Sequence, residues 1–119
     1  SGGHTDAAAG ARLTMIIAPL VRARLPIVTD RVACISTPGA DVDVLVTQRG
    51  VAVNPLRPEL AAQLRPAGLP VVEIQDLIRR AEAITGVPRK TPRDGRTVAR
   101  VLGRDGAVQD LIRELPGEP

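Results

Sequence analysis

The chain of 119 residues contains no Phe, Trp or Tyr. Aromatic side chains ordinarily supply the largest buried areas of a core, roughly 150–250 Å² each. Without them the core is confined to Val, Ile, Leu and Ala, and such a core is thin. A surface that meets a further stretch of chain, a partner or a second copy is the natural supplement. The same absence argues against a binder of single-stranded nucleic acid, which stacks bases on aromatic platforms.

Thiols and imidazoles are equally scarce. Cys34 is the only cysteine and His4 the only histidine. No internal disulfide and no zinc site of four Cys and His ligands can therefore form, no metal ligands are assigned, and the cysteine usage points to the cytoplasm. Long apolar runs are missing too. The stretches around Met15–Val21 and Val51–Val53 fall far short of the roughly 20 residues a helix needs to cross a bilayer. No charged segment followed by an apolar one opens the sequence, so neither export nor membrane insertion is supported.

Charge is present but nearly balanced. The sequence pI is near 10.4, yet the formal net charge is only +3, with 16 basic against 13 acidic residues. Every basic residue except Lys90 is Arg, whose very high pKa lifts the pI without making the surface strongly positive. A nucleic-acid role ranks below an enzymatic or assembly role, and it predicts salt-sensitive retention on DNA or RNA.

Hydrophobic patterning predicts an α/β alternation in one soluble domain, without internal repeats. Leu13–Ala18 reads as a buried strand ended by Pro19, Val32–Thr37 as a second strand halted by Pro38-Gly39, and Val42–Thr47 as a third. The turn Gln48-Arg49-Gly50, with Gly50 at positive φ, leads to a fourth strand at Val51–Asn54. Asn54 or Arg57 precedes a helix with Pro55 or Pro58 in its first turn, ending near Pro66 and Gly68. Leu69–Val72 returns as a strand. Ile74–Thr85 is a helix with Ile74, Leu77, Ile78, Ala81 and Ile84 on one face, stopped by Gly86. Residues 87–96 read as an exposed linker. Thr97–Leu102 and Ala107–Ile112 flank Asp105-Gly106 as a hairpin, and residues 116–119 form a loose tail.

The candidate working part is the opening loop, Gly2-Gly3-His4-Thr5-Asp6, followed by the small, helix-tolerant Ala7–Ala11. Such loops normally follow a strand that places them at the mouth of a site. None stands upstream of Gly2, which predicts that the chain is a piece of a larger enzyme. The plain readings compete. Asp6 before three alanines is a good helix N-cap. An isolated loop His is more often a solvated surface residue than a ligand. Asn54 reads first as a strand-to-helix cap, Cys34 as inert core in mid-strand, and the Arg79-Arg80 pair as a solvated helix face.

Several blocks in fixed order carry a resemblance: Gly2–Ala11, Ile17–Arg22, Ile27–Val32, Thr37-Pro38-Gly39, Asp43–Pro55 and Ala67–Val72. Together they resemble the C-terminal portion of citrate lyase alpha chains, in register to about Leu115. The resemblance implies a coenzyme A transferase-like fold, with residues 1–115 as the C-terminal part of that domain. It implies citrate CoA-transferase activity, exchanging acetyl for citryl on the thiol of an acyl carrier protein prosthetic group. No cofactor is then bound directly. The CoA-like phosphopantetheine group rides on the partner, or CoA and acetyl-CoA take its place.

Expected partners are the beta chain that cleaves the citryl thioester, the gamma chain that is the carrier protein, and the upstream part of the alpha chain. Related transferases use an upstream Glu as nucleophile, and no comparable motif lies here. Gly2 and Gly3 then supply backbone N–H donors to developing oxyanions, since glycine lets a ligand approach without a Cβ in the way. His4 hydrogen-bonds a citrate carboxylate. Asp6 orients His4 or caps the helix, while Arg49 and Asn54 anchor substrate. The alternative is an inactive assembly or regulatory module with the same fold.

Overall fold

The computed structural model describes residues 3–117. Its elements are α1 (His4–Gly10), β1 (Met15–Ile17), β2 (Val21–Arg22), β3 (Leu25–Pro26), a 3₁₀ turn (Gly39–Asp41), β4 (Val44–Thr47), β5 (Gly50–Val53), α2 (Pro58–Leu64), β6 (Val71–Val72), α3 (Ile74–Thr85), β7 (Thr97–Leu102) and β8 (Val108–Arg113). One mixed sheet has the order β1-β4-β5-β6, while β2 with β3 and β7 with β8 form separate two-stranded ribbons. The architecture is thus α/β with several sheets and the expected C-terminal hairpin.

β1 lies parallel to β4 with Met15 opposite Val44. β4 then folds back antiparallel onto β5. The reversal is tight because Thr47 Oγ1 donates to the carbonyl of Gly50 at 3.0 Å and accepts the N–H of Arg49 at 3.1 Å. Gly50 has φ +152°, and a Cβ there would stand 2.7 Å from Val72 Cγ2 of β6. Glycine therefore permits both the turn and the close approach of β6.

The apolar stripe of α3 does what its spacing predicts. Leu77, Ile78 and Ala81 are buried, joining Leu20, Val28 and Ala52 in the core. Ile74 and Ile84, at the ends of the stripe, remain largely exposed. Gly86, at φ +79°, ends the helix, and its N–H bonds the carbonyl of Glu82. Arg57 is the N-cap of α2 and Pro58 its first residue, one of the two starts the sequence allowed. No aromatic ring is needed: aliphatic side chains of one helix, one sheet face and the β2–β3 ribbon close the core.

Three expectations are corrected. Val32–Thr37 is not a strand but a series of bends. Side chains from elsewhere, instead of a neighbouring strand, engage its backbone. Asp110 Oδ2 accepts the N–H of Ile35 at 2.7 Å, Arg93 donates to the carbonyls of Val32 and Ala33 at 3.1 and 3.0 Å, and Thr5 Oγ1 donates to that of Ser36 at 2.7 Å. Cys34 accordingly sits half-buried on a bend, not in mid-strand core. Asp6 is not the helix cap, because α1 begins earlier, with Gly3 as N-cap and Asp6 in the first turn. The sequence reading also placed no element between Pro19 and Arg31, where the β2–β3 ribbon turns through Ala23 at φ +54°.

Candidate functional site

The loop that opens the chain becomes the first turn of a helix. Of its candidate residues, Gly2 lies outside the described residues. Gly3 has an ordinary helical φ of −73°. An added Cβ at Gly3 would meet nothing within 4 Å. Neither strain nor packing inside the described chain requires glycine at that position.

His4 is tied to the bend segment by a 2.8 Å hydrogen bond between Nδ1 and Thr37 Oγ1. Thr5, beside it, lies 3.2 Å from the same hydroxyl and donates to the Ser36 carbonyl. Four hydrogen-bonding groups thus converge although α1 and the bend are more than thirty positions apart in sequence. His4, Ser36 and Thr37 border an open hollow of about 580 Å³ whose lining includes Ile16, Val32, Cys34 and Ile35. Its walls are mostly apolar, with a few polar groups at the edge, and it lies open to solvent.

Asp6 does not orient His4. Positions two apart on a helix point to different sides, and the ring's partner is Thr37 instead. Asn54 is close to this region but engaged: its Nδ2 donates to the carbonyls of Gly39 and Val42 at 2.9 and 2.8 Å, and its Oδ1 accepts the N–H of Leu56 at 2.9 Å. It pins the 3₁₀ turn to the segment leading into α2 but does not cap that helix, whose N-cap is Arg57 with no side-chain cap. Arg49 is exposed in the β4–β5 turn. That turn lies beyond the Thr47–Gly50 end of the ladder, whereas Asn54 follows Val53 at the other end. The structure therefore brings His4, Thr37 and Asn54 to one end of the sheet and leaves Arg49 at the opposite end.

Beneath this region Asp43, which the sequence reading assigned no role, forms the central joint. Only 7% exposed, its Oδ2 accepts the N–H of Thr14 at 2.7 Å and its Oδ1 faces the Arg57 guanidinium at 2.5 Å. Arg57 also binds Glu59, and that hydrogen bond is the main cause holding the Glu59 carboxyl below its usual range. Thr14 in turn donates to the carbonyl of Ala8 at 3.2 Å. α1, β1 and β4 are thus connected through one carboxylate and one hydroxyl. Thr5, Ser36 and Thr37 were also given no role, and no local signal could have singled them out.

Comparison with known proteins gives this geometry a context. The family described as citrate lyase, alpha subunit, matches residues 1–115. The citrate lyase alpha chain of Klebsiella pneumoniae is 54% identical over 115 residues, covering 97% of this chain and 23% of that protein. The alpha chain of Escherichia coli K12 is 49% identical, with 97% and 22% covered. Among solved structures, the alpha subunit of citrate lyase from Streptococcus mutans in complex with citrate superimposes with a TM-score of 0.88 at 38% identity, over 97% of this chain and 22% of that one. The chain spans less than a quarter of the length of these relatives. With the match running from the opening loop past the hairpin, the chain belongs to the citrate lyase alpha subunit family.

Proposed function

We propose that this chain is the C-terminal part of a citrate CoA-transferase. Residues 1–115 would complete a coenzyme A transferase-like domain in the cytoplasm, alongside the upstream part of the alpha chain, the lyase beta chain and the carrier protein gamma chain. In the exchange, the thioester bond of acetyl-S-carrier protein is broken and a thioester to citrate is formed, releasing acetate. The thiol belongs to the partner's prosthetic group, or to CoA in its place.

The observation that carries this reading is the 0.88 superposition on an alpha subunit holding citrate. The opening loop fits a role beside the reacting carboxyl. Gly3 is free of intramolecular demands, so a glycine there suits a backbone N–H that must approach a ligand, where charge developing on oxygen is stabilised. His4 borders the hollow and is positioned by a fixed partner, which suits contact with the acceptor acid. Arg49, at the far end of the sheet, and Asn54, with its polar atoms engaged, are weaker candidates for touching that acid.

The test measures acetate released from acetyl-S-carrier protein on adding citrate, using the full-length alpha subunit, its His4→Ala variant and the 119-residue chain alone. Exchange by the full-length protein that falls about tenfold or more in His4→Ala, the size expected for a lost hydrogen bond to a charged or strongly polar partner, supports the reading. No exchange from a well-folded full-length subunit sinks it and favours an inactive assembly module.

A further inference from the structure

Resting on that reading, we infer that His4 meets the acceptor acid through a bare lone pair on Nε2. Thr37 and Thr5 hold the ring in that form, and the group His4 selects is the citrate hydroxyl, not a carboxylate.

The protons available to the three side chains set the tautomer. A threonine hydroxyl has one proton to donate. That of Thr5 goes to the Ser36 carbonyl at 2.7 Å, because a carbonyl can only accept. Taken as a hydrogen bond, the 3.2 Å contact between Thr5 and Thr37 then uses the proton of Thr37. On that assignment Thr37 Oγ1 presents lone pairs toward His4, and the 2.8 Å contact takes its proton from Nδ1. Neutral imidazole carries one N–H, which leaves Nε2 unprotonated. Among the described residues Nε2 has no hydrogen-bond partner.

The chain runs one way: His4 Nδ1–H to Thr37, Thr37 to Thr5, Thr5 to the Ser36 carbonyl. Each bond polarises the next in the same sense. The chemical consequence concerns specificity. A carboxylate only accepts hydrogen bonds and finds no proton on neutral His4. A hydroxyl donates one, and a tricarboxylate with a central hydroxyl is the acid that uses this lone pair. Thr37 and Thr5 are positioning residues, acting through His4.

Two experiments test this. Because His4 is the only histidine, ¹⁵N spectra of the 119-residue chain report its tautomer without assignment. Where that chain alone is unfolded, the spectra are taken on the full-length subunit, with the His4 signals identified by their loss in His4→Gln. Above the imidazole titration we expect Nε2 unprotonated in the wild type and in Thr37→Ser, and shifted toward Nε2–H in Thr37→Val. A wild type with Nε2 protonated, or a Thr37→Val variant that keeps the wild-type tautomer, overturns the relay.

In the full-length subunit, citrate is compared with propane-1,2,3-tricarboxylate, which lacks only the hydroxyl. We expect a preference for citrate of about tenfold or more, retained in Thr37→Ser and lost in Thr37→Val. Equal binding of the two acids by the wild type overturns the hydroxyl assignment. Failure to bind either acid instead refutes the transferase reading on which that assignment rests, and the tautomer measurement still decides the relay.

Discussion

Asn in place of Asp43 keeps the shape of the side chain and removes one of its two acceptors. In the native chain Oδ2 takes the N–H of Thr14 at 2.7 Å and Oδ1 faces Arg57, with the residue 7% exposed. Whichever way the amide is turned, its NH₂ points at a donor. A backbone N–H left unpaired in a buried place costs about 1–3 kcal/mol, and loss of a charge-assisted hydrogen bond costs a similar amount. The Arg57 end contributes at the low side, because that side chain is 34% exposed and water screens it. Because the amide oxygen still accepts from one of the two donors, the expectation for Asp43→Asn is one such loss, about 1–3 kcal/mol, which for a chain of this length lowers Tm by about 4–12 °C. The assay is reversible melting followed by circular dichroism, with Arg57→Gln as companion. Arg57→Gln should lose less than Asp43→Asn, because water screens the guanidinium. A loss below about 0.5 kcal/mol in Asp43→Asn refutes the reasoning that both carboxylate oxygens of this joint are needed.

Three further outcomes follow from the packing and the ion pairs. Gly50→Ala combines an unfavourable φ of +152° with a Cβ 2.7 Å from Val72, and should cost about 1–3 kcal/mol by urea unfolding. An unchanged midpoint would mean that β6 can move aside. Leu77→Ala removes a side chain with no exposed surface from a core without aromatics, and should lose about 2–5 kcal/mol. The third concerns pH. The Asp110 carboxyl lies below its usual range because it accepts the N–H of Ile35 first, then that of Leu111, with Arg93 and Arg113 adding favourable charge. A carboxyl lowered by folding contributes stability above its unfolded pKa and loses it as pH falls through the folded one. Amide exchange at Ile35 should therefore accelerate as pH drops below the ordinary carboxylate range, after correction for intrinsic rates, and lose that acceleration in Asp110→Asn.

The elements read most easily from sequence are those whose order is local. The α3 stripe, the Asp105-Gly106 hairpin and the Gly50 turn each depend on residues within a few positions, so spacing and backbone preference suffice. Val32–Thr37 fails for the opposite reason. Its alternation suits a strand, but Asp110, Arg93 and Thr5 capture its backbone from more than thirty positions away. Periodicity carries no trace of them. The short β2–β3 ribbon is missed because two residues per strand are too few to show a period.

By itself the sequence determined that the core would be aliphatic, that strands would alternate with an amphipathic helix, and that the ordered blocks resembled a portion of a larger family. These follow from composition, spacing and ordered motifs, all properties of the chain as a string. Only the tertiary structure decided which candidates share a place. It set His4 against Thr37, separated Arg49 from Asn54 by the length of the β4–β5 ladder, and buried Asp43 where α1, β1 and β4 are joined. A hydrogen bond needs two groups within about 3 Å, and whether positions 4 and 37 come that close depends on how α1, β1 and β4 pack.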